Sequence, residues 1–124
     1  GSFQKEESYI LKENQNLLRI STRDFSFIAE EHLSKIFALL AKNKIKISLM
    51  QNTAISLELC LEDKYGNIDE LNKKKKKDFQ TELLKNLSLY TVRNAKLEDL
   101  GDFYKNKNIL LEQSSNKTIQ VVTN

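Results

Sequence analysis

The chain has 124 residues, which is the size of one domain or of two small joined domains. It is 40% hydrophobic and 30% charged. It has no apolar run of about 18 residues, so no membrane-spanning helix is expected. The positions of its three glycines do not fit a phosphate-binding loop or a dinucleotide-binding fingerprint. Its single cysteine excludes an intrachain disulfide, and the absence of disulfides is typical of a cytoplasmic protein.

Basic residues are concentrated in one short stretch. The formal net charge is +3, but residues 73–77 are five consecutive lysines, and the rest of the chain is slightly acidic. Such a run is more typical of a solvated helix face than of an anionic-partner patch. We therefore expect no nucleic-acid partner and no membrane partner. A nucleic-acid or anionic-surface binder that acts through the lysine run remains the less favoured third class of function.

The first residues indicate a fragment of a longer protein. Residues 1–2, Gly-Ser, are typical of a cloning scar, and the only methionine is Met50. Residues 3–16 are mostly polar, so at most one short strand is expected there. Residues 17–29 alternate in part between apolar and polar side chains, which predicts a strand.

A helix and a hairpin are predicted next. Residues 45–50 and 55–62 alternate and flank a turn at 51–53, which predicts an antiparallel hairpin. Asn43 is a candidate left-handed stop for the preceding helix. That helix is indicated by four apolar residues with the spacing of one helix face, Leu33, Ile36, Phe37 and Leu40.

The pattern then repeats in part. Residues 63–66 break the hairpin, and apolar spacing predicts a second helix over 68–79. Residues 80–84 and 87–92 read as two strands joined by a two-residue turn at Lys85-Asn86, because asparagine accepts positive φ. The remaining predicted elements are a short helix near 97–103 and strands at 108–112 and 118–122.

The order of elements from residue 17 to residue 84 is strand, helix, strand, strand, helix, strand. This order predicts an α+β fold of the ferredoxin-like βαββαβ type. Such a module has a four-stranded antiparallel sheet with both helices on one face. The tail begins the same pattern again without completing it.

Three stretches of the sequence also resemble a known family. Residues 20–37, ISTRDFSFIAEEHLSKIF, and residues 49–56, LMQNTAIS, resemble the C-terminal regulatory region of aspartate kinases. Residues 110–120, LLEQSSNKTIQ, are similar to the end of a monofunctional aspartate kinase with a shortened second module. The resemblance extends over residues 17–122.

The resemblance implies two ACT modules. Residues 17–84 would form a complete module, and residues 85–124 would form a partial second one that shares the leading strand or borrows one from the N-terminal segment. The kinase domain would precede the fragment in the same parent chain and dock against it. ATP and magnesium are expected only for that absent domain, so the fragment itself is expected to have no cofactor and no enzymatic activity.

In this family an end product of the pathway, lysine or threonine, binds between paired ACT modules of a homodimer and inhibits the kinase. Free N–H groups at a helix start attract a carboxylate, and side-chain amides hold polar groups, which supports such a site here. Lysine-sensing relatives carry an aspartate where this chain has Ser48, so threonine is favoured over lysine. The effector-binding residues that the resemblance implies are Ser26, Phe27, Ala29, Glu30, Ser48, Gln51 and Asn52.

One departure from the family pattern favours a different function. The Asp-x-Pro-Gly turn common in ACT modules is missing, and the chain has no proline. The alternative is an ACT module that has lost ligand binding and serves only in dimerisation. His32 and Cys60 have no neighbours at metal-ligand or catalytic spacing, so we expect neither a metal site nor a catalytic residue.

Overall fold

The computed structural model describes residues 8–22, 30–53, 55–69, 79–93, 108–115 and 117–124. The elements in chain order are β1 (Ser8–Thr22), α1 (Glu30–Lys42), β2 (Lys46–Asn52), β3 (Ser56–Glu62), β4 (Phe79–Arg93), β5 (Ile109–Ser115) and β6 (Thr118–Thr123). The helix expected near 97–103 lies outside the described residues, as do residues 70–78 of the helix expected over 68–79, whose last residue, Phe79, begins β4 instead.

The strands form a six-stranded sheet in the order β2-β3-β1-β4-β6-β5. The pairings of β3 with β1 and β2, and of β6 with β4 and β5, are all antiparallel. The predicted α+β class with an antiparallel sheet is confirmed. The four strands expected for residues 17–84 and those expected for the partial second module lie in one six-stranded sheet, in which β1 begins at Ser8 and β4 continues to Arg93. The polar composition of residues 3–16 concealed the first half of β1.

The hairpin predicted at Lys85-Asn86 is wrong. Asn86 does adopt positive φ, 59°, but it lies inside the continuous strand β4. The favoured two-residue turn needs positive φ at both central residues, and Lys85 does not have it. A single left-handed residue therefore leaves the strand direction intact.

The chain divides into two compact units, and both divisions fall inside a strand. The central unit is Gln15–Lys85, and the terminal unit is Gly1–Asn14 with Asn86–Asn124. Asn14 in β1 and Asn86 in β4 both have a left-handed backbone, with φ of 58° and 59°. Asparagine is one of the few residues that adopt this conformation readily.

The central unit has its own hydrophobic core between α1 and the sheet. Leu59 and Leu61 are fully buried in this core, and burial of one leucine contributes about 1.5–3 kcal/mol relative to exposure. The helix contributes four apolar side chains at the predicted spacing. The buried residues of the cluster are Leu18, Ile20, Ile36, Leu40, Ile45, Leu57, Leu59, Leu61 and Ile68, with Leu33, Phe37, Ile47 and Leu83 packed against them.

Helix α1 ends in a Schellman motif. Ile45 N–H donates to Leu40 O over 2.9 Å, and Lys44 N–H donates to Ala41 O over 3.1 Å. The left-handed residue is Lys44, with φ of 57°, and not Asn43 as the sequence predicted. The Asn43 side chain instead donates Nδ2–H to the carbonyl of Leu39 over 2.8 Å, which favours a helical backbone at Asn43.

An aspartate organises the turn after β3. Both Asp63 carboxylate oxygens accept backbone N–H groups over 2.8 Å, Oδ1 from Asn67 and Oδ2 from Ile68. Gly66 has φ of 74°, a conformation that glycine adopts without steric cost. Asn67 Nδ2 also donates to the carbonyl of Asn43 over 2.7 Å. These bonds hold the turn after β3 against the end of α1.

The two units share one pattern of strand pairing, and the first shared feature is a hairpin with a β-bulge. In the central unit Ile47 pairs with Leu61 and Leu49 with Cys60, so Ser48 is the extra residue of a β-bulge. The β5–β6 hairpin of the terminal unit has the same irregularity, because Ile109 pairs with Thr123 and Leu111 with Val122. Leu110 therefore corresponds to Ser48.

A row of three directly opposed residues follows each bulge. Each row begins with a glutamine three residues after the extra residue of the bulge, Gln51 after Ser48 and Gln113 after Leu110, so the rows correspond. The central unit has a charged row, and the terminal unit has a neutral row. The charged row is Gln51, Glu58 and Arg19 on β2, β3 and β1, and the neutral row is Gln113, Gln120 and Thr91 on β5, β6 and β4.

Candidate functional site

Four residues expected to bind an effector lie among the described residues. Glu30 is exposed as the first residue of α1, Gln51 and Asn52 are exposed at the end of β2, and Ser48 lies in the β2 bulge. Three of the four thus share one strand, which is at an end of the sheet order. The expected residues outside the described ranges are Ser26, Phe27 and Ala29.

Ser48 has a buried hydroxyl oxygen without a hydrogen-bond partner among the described residues. The residue as a whole is half-buried, and the bulge removes it from the regular strand pairing. An unsatisfied buried hydroxyl costs about 1–3 kcal/mol, so a ligand that supplies a hydrogen bond to it gains that energy. Ser48 Oγ is therefore a candidate ligand contact.

The outer edge of β2 pairs with no strand among the described residues. Met50 is 43% exposed there, and its neighbours Gln51 and Asn52 are also exposed. An edge strand presents backbone N–H and C=O groups that a further strand or a polar ligand can use. This edge is chemically suited to either occupant.

The turn between β2 and β3 is held by side-chain hydroxyls. Thr53 Oγ1 accepts the Ser56 N–H over 3.1 Å, and the two hydroxyl oxygens are 2.8 Å apart. The Thr53 N–H also donates to the Ser56 carbonyl over 2.9 Å. The strand thus extends to Asn52, two residues into the turn predicted at 51–53, and this turn fixes the position of Gln51 and Asn52.

A polar cleft of about 500 Å³ lies in the central unit. Leu18 and Ile20 pack with α1, so strand alternation directs Arg19 to the opposite face of the sheet. The side chains that line the cleft include Arg19, Ser21, Ser56, Glu58, Gln80 and Glu82, which come from β1, β3 and β4.

Arg19 lies between two carboxylates at this cleft. Its Nε is 3.5 Å from Glu58 Oε2, and its Nη1 is 3.4 Å from Glu82 Oε1. The three side chains are 34%, 28% and 60% exposed. These distances exceed the roughly 2.7–2.9 Å of a strong charged hydrogen bond, so the ion pairs are loose.

The sequence interpretation missed these three residues. Arg19 and Glu58 occupy the polar positions of alternating strands. Side chains that merely face solvent occupy the same positions, so the pattern does not distinguish the two cases. Their proximity could not be inferred from the pattern, because Glu58 and Glu82 lie 39 and 63 residues from Arg19 along the chain.

Cys60 and His32 were the other two side chains considered for chemistry. Cys60 is fully buried, with Sγ 3.5 Å from Gln15 Oε1, and His32 is half-buried in the first turn of α1. Within the described ranges, no group of three His, Cys, Asp or Glu side chains is placed to hold a metal ion. No helix in the part of the chain that is described is long and apolar enough to cross a membrane.

No protein-family model matches the sequence, and a search of curated proteins finds no match. Solved structures do match. A domain described as a C-terminal regulatory domain of aspartate kinase from Porphyromonas gingivalis superposes with a TM-score of 0.73 at 11% identity. The superposition covers 94% of this chain and 85% of that domain.

Complete aspartate kinases match over the same part of this chain. Aspartokinase III of Escherichia coli, in complex with lysine and aspartate, has a TM-score of 0.64 at 17% identity, covering 93% of this chain and 28% of that enzyme. The aspartate kinase of Clostridium acetobutylicum, described as an allosteric enzyme, has a TM-score of 0.69 at 20% identity. That match covers 93% of this chain and 30% of that enzyme. The chain thus spans less than a third of these enzymes and has the fold of the regulatory region of aspartate kinases.

Proposed function

We propose that this chain is the regulatory ACT region of an aspartate kinase and that it transmits the binding of an amino-acid effector to a kinase domain. The observation that carries the proposal is the likeness of fold over 93–94% of this chain to aspartate kinase regulatory regions. The motifs at residues 20–37 and 49–56 support it independently. The kinase domain, with its ATP and magnesium, belongs to the same proposal, as does a cytoplasmic location.

The proposal assigns one ACT module to each unit. In the central unit the strand order β4-β1-β3-β2 is that of a ferredoxin-like βαββαβ module. The terminal unit repeats the bulged hairpin and takes its remaining strands from the first half of β1 and the second half of β4. In this proposal the second module is completed within the same chain.

The effector site of this proposal combines the buried Ser48 hydroxyl with the exposed amides of Gln51 and Asn52 and the start of α1. Ser48 supplies no carboxylate for the side-chain ammonium of lysine. Threonine carries a hydroxyl that can hydrogen-bond to Ser48 Oγ. We therefore favour threonine over lysine as the effector at this site.

A homodimer is the assembly that this site requires. The outer edge of β2 is available for a second copy, and Ser48, Gln51 and Asn52 would then face the partner. An ACT pair that serves only in dimerisation would use the same edge. The two alternatives differ in whether an amino acid binds.

Calorimetric titration of the 124-residue chain with threonine and lysine tests the proposal. We expect threonine to bind more tightly, and Ser48→Ala to weaken it by about 3–10-fold, the effect of one neutral hydrogen bond. Ser114→Ala, an exposed serine on β5, is the matched control and should leave binding unchanged. A dimer that gives no binding heat with either amino acid would support dimerisation alone.

A further inference from the structure

We propose that the outer face of α1 pairs with the same face of a second copy of this chain, in an antiparallel arrangement that does not use the β2 edge. The face carries a stripe of exposed residues spaced four, three and four positions apart, which is the spacing of one side of a helix. The stripe consists of Glu31, Lys35, Ala38 and Lys42. The pairing does not depend on the binding of an effector.

The stripe lies on the side of α1 that is turned away from the core. Helix geometry places it opposite the apolar residues that pack against the sheet, which are Leu33, Ile36, Phe37 and Leu40. A shallow groove of about 340 Å³ follows the stripe and is lined by Lys35, Ala38, Leu39 and Lys42. Its floor is apolar and a lysine lies at each end, so it can hold the apolar stem of a long side chain.

The charged residues of the stripe are available to a partner. None of the ion pairs among the described residues includes Glu31, Lys35 or Lys42. The helix dipole accounts for an acidic first turn and a basic last turn. It does not account for the position of all three charges on one face of the helix.

Charge complementarity decides the direction of the pairing. When a second α1 lies antiparallel across the stripe, Glu31 faces the partner's Lys42, and the two-fold symmetry repeats this pair at the other end. Lys35 faces the partner's Ala38, whose small side chain leaves room for the lysine stem. No like charges are opposed in this arrangement. In a parallel pair, glutamate would face glutamate and lysine would face lysine.

The pairing is weak by itself. A helix of 13 residues is about 20 Å long and about 10 Å wide, so its contact is much smaller than the roughly 1,200 Å² of a standard interface. The stripe and the β2 edge belong to different elements, so both contacts can form at once. Pairing through α1 would then join dimers formed along β2 into larger assemblies.

The test is sedimentation equilibrium of the 124-residue chain carrying Met50→Lys, which disfavours pairing along β2. We expect a weak dimer that dissociates further between about 50 and 200 mM NaCl, because salt screens exposed charges. Glu31→Lys and Lys42→Glu, each added alone, should raise the dissociation constant about tenfold, since each replaces two attractive pairs with two repulsive ones. The double variant should restore the dimer, because the two charges have exchanged places. Lys117→Glu, at an exposed lysine before β6, is the matched control and should have no effect.

The double variant also separates pairing from folding. Both substitutions place a charge against the helix dipole, so an effect on folding alone would make the double variant the weakest dimer. Circular dichroism checks the helix, and Glu31→Gln should weaken the dimer by a smaller factor without reversing a charge. A dimer that neither single substitution weakens, or a double variant weaker than both, overturns the proposal. A chain that is monomeric at every concentration also overturns it, and binding of poly-L-glutamate by that monomer would assign the groove to an acidic partner.

Discussion

Asn14 and Asn86 occupy corresponding positions in the two long strands. Their φ angles are 58° and 59°, and each lies three residues before a buried leucine, Leu17 in β1 and Leu89 in β4. Leu17 pairs with Cys60 and Leu89 with Val122, which are the residues opposite the two bulges. The left-handed asparagines thus belong to the same internal repeat as the bulged hairpins.

The first prediction concerns Asn86. A residue with a Cβ atom and no local hydrogen-bonding group pays about 1–2 kcal/mol for the left-handed conformation, whereas glycine does not. Asn86→Val should therefore lower the free energy of unfolding by about 1–2 kcal/mol, and Asn86→Gly by less than about 0.5 kcal/mol. Urea denaturation measures both. Equal losses for valine and glycine would contradict the assigned backbone.

The second prediction concerns Asp63. Its carboxylate accepts two backbone N–H groups, so Asp63→Ala should cost about 1–2 kcal/mol, the usual effect of losing a helix cap. Asp63→Asn keeps one acceptor oxygen and should lose about half as much. Chemical denaturation of the two variants checks this order. A larger loss for asparagine than for alanine would show that the two bonds do not stabilise the turn.

The third prediction compares opposed residues in the β2–β3 hairpin. Leu59 is fully buried and pairs with Met50, which is 43% exposed. Leu59→Ala should destabilise the chain by about 2–5 kcal/mol because it removes apolar contacts and leaves a cavity. Met50→Ala should change stability by less than about 0.5 kcal/mol. Similar effects at both positions would contradict the burial of this core.

The fourth prediction concerns the dimer. If a second copy pairs along β2, Met50→Lys should shift the chain toward monomer, because a lysine on an edge strand disfavours pairing with a further strand. Sedimentation equilibrium at several protein concentrations measures the shift. Lys117→Gln, on the exposed turn before β6, serves as a control that should leave the dimer unchanged. A Met50→Lys dimer as strong as the parent would exclude this strand from the interface.

Part of the candidate site was accessible from the sequence. The family resemblance implied Ser48, Gln51 and Asn52 as effector-binding residues, which stays a prediction, and strand alternation predicted β2, on which all three lie. The sequence did not indicate that Ser48 is the extra residue of a bulge with a buried hydroxyl, because the bulge depends on how β2 pairs with β3. Positive φ at Asn86 was also anticipated from the residue type, but the predicted turn was wrong, since a type I′ hairpin turn needs positive φ at both central residues.

Elements with a local cause could be predicted from the sequence. Helix α1 follows from apolar residues three and four apart, and the hairpins follow from alternation around short polar turns, so only neighbouring residues decide them. The tertiary structure decided the length of β1, the six-strand order and the cluster of Arg19 with Glu58 and Glu82. Those features depend on pairing between segments far apart in the chain, where the register of one strand selects which side chains meet.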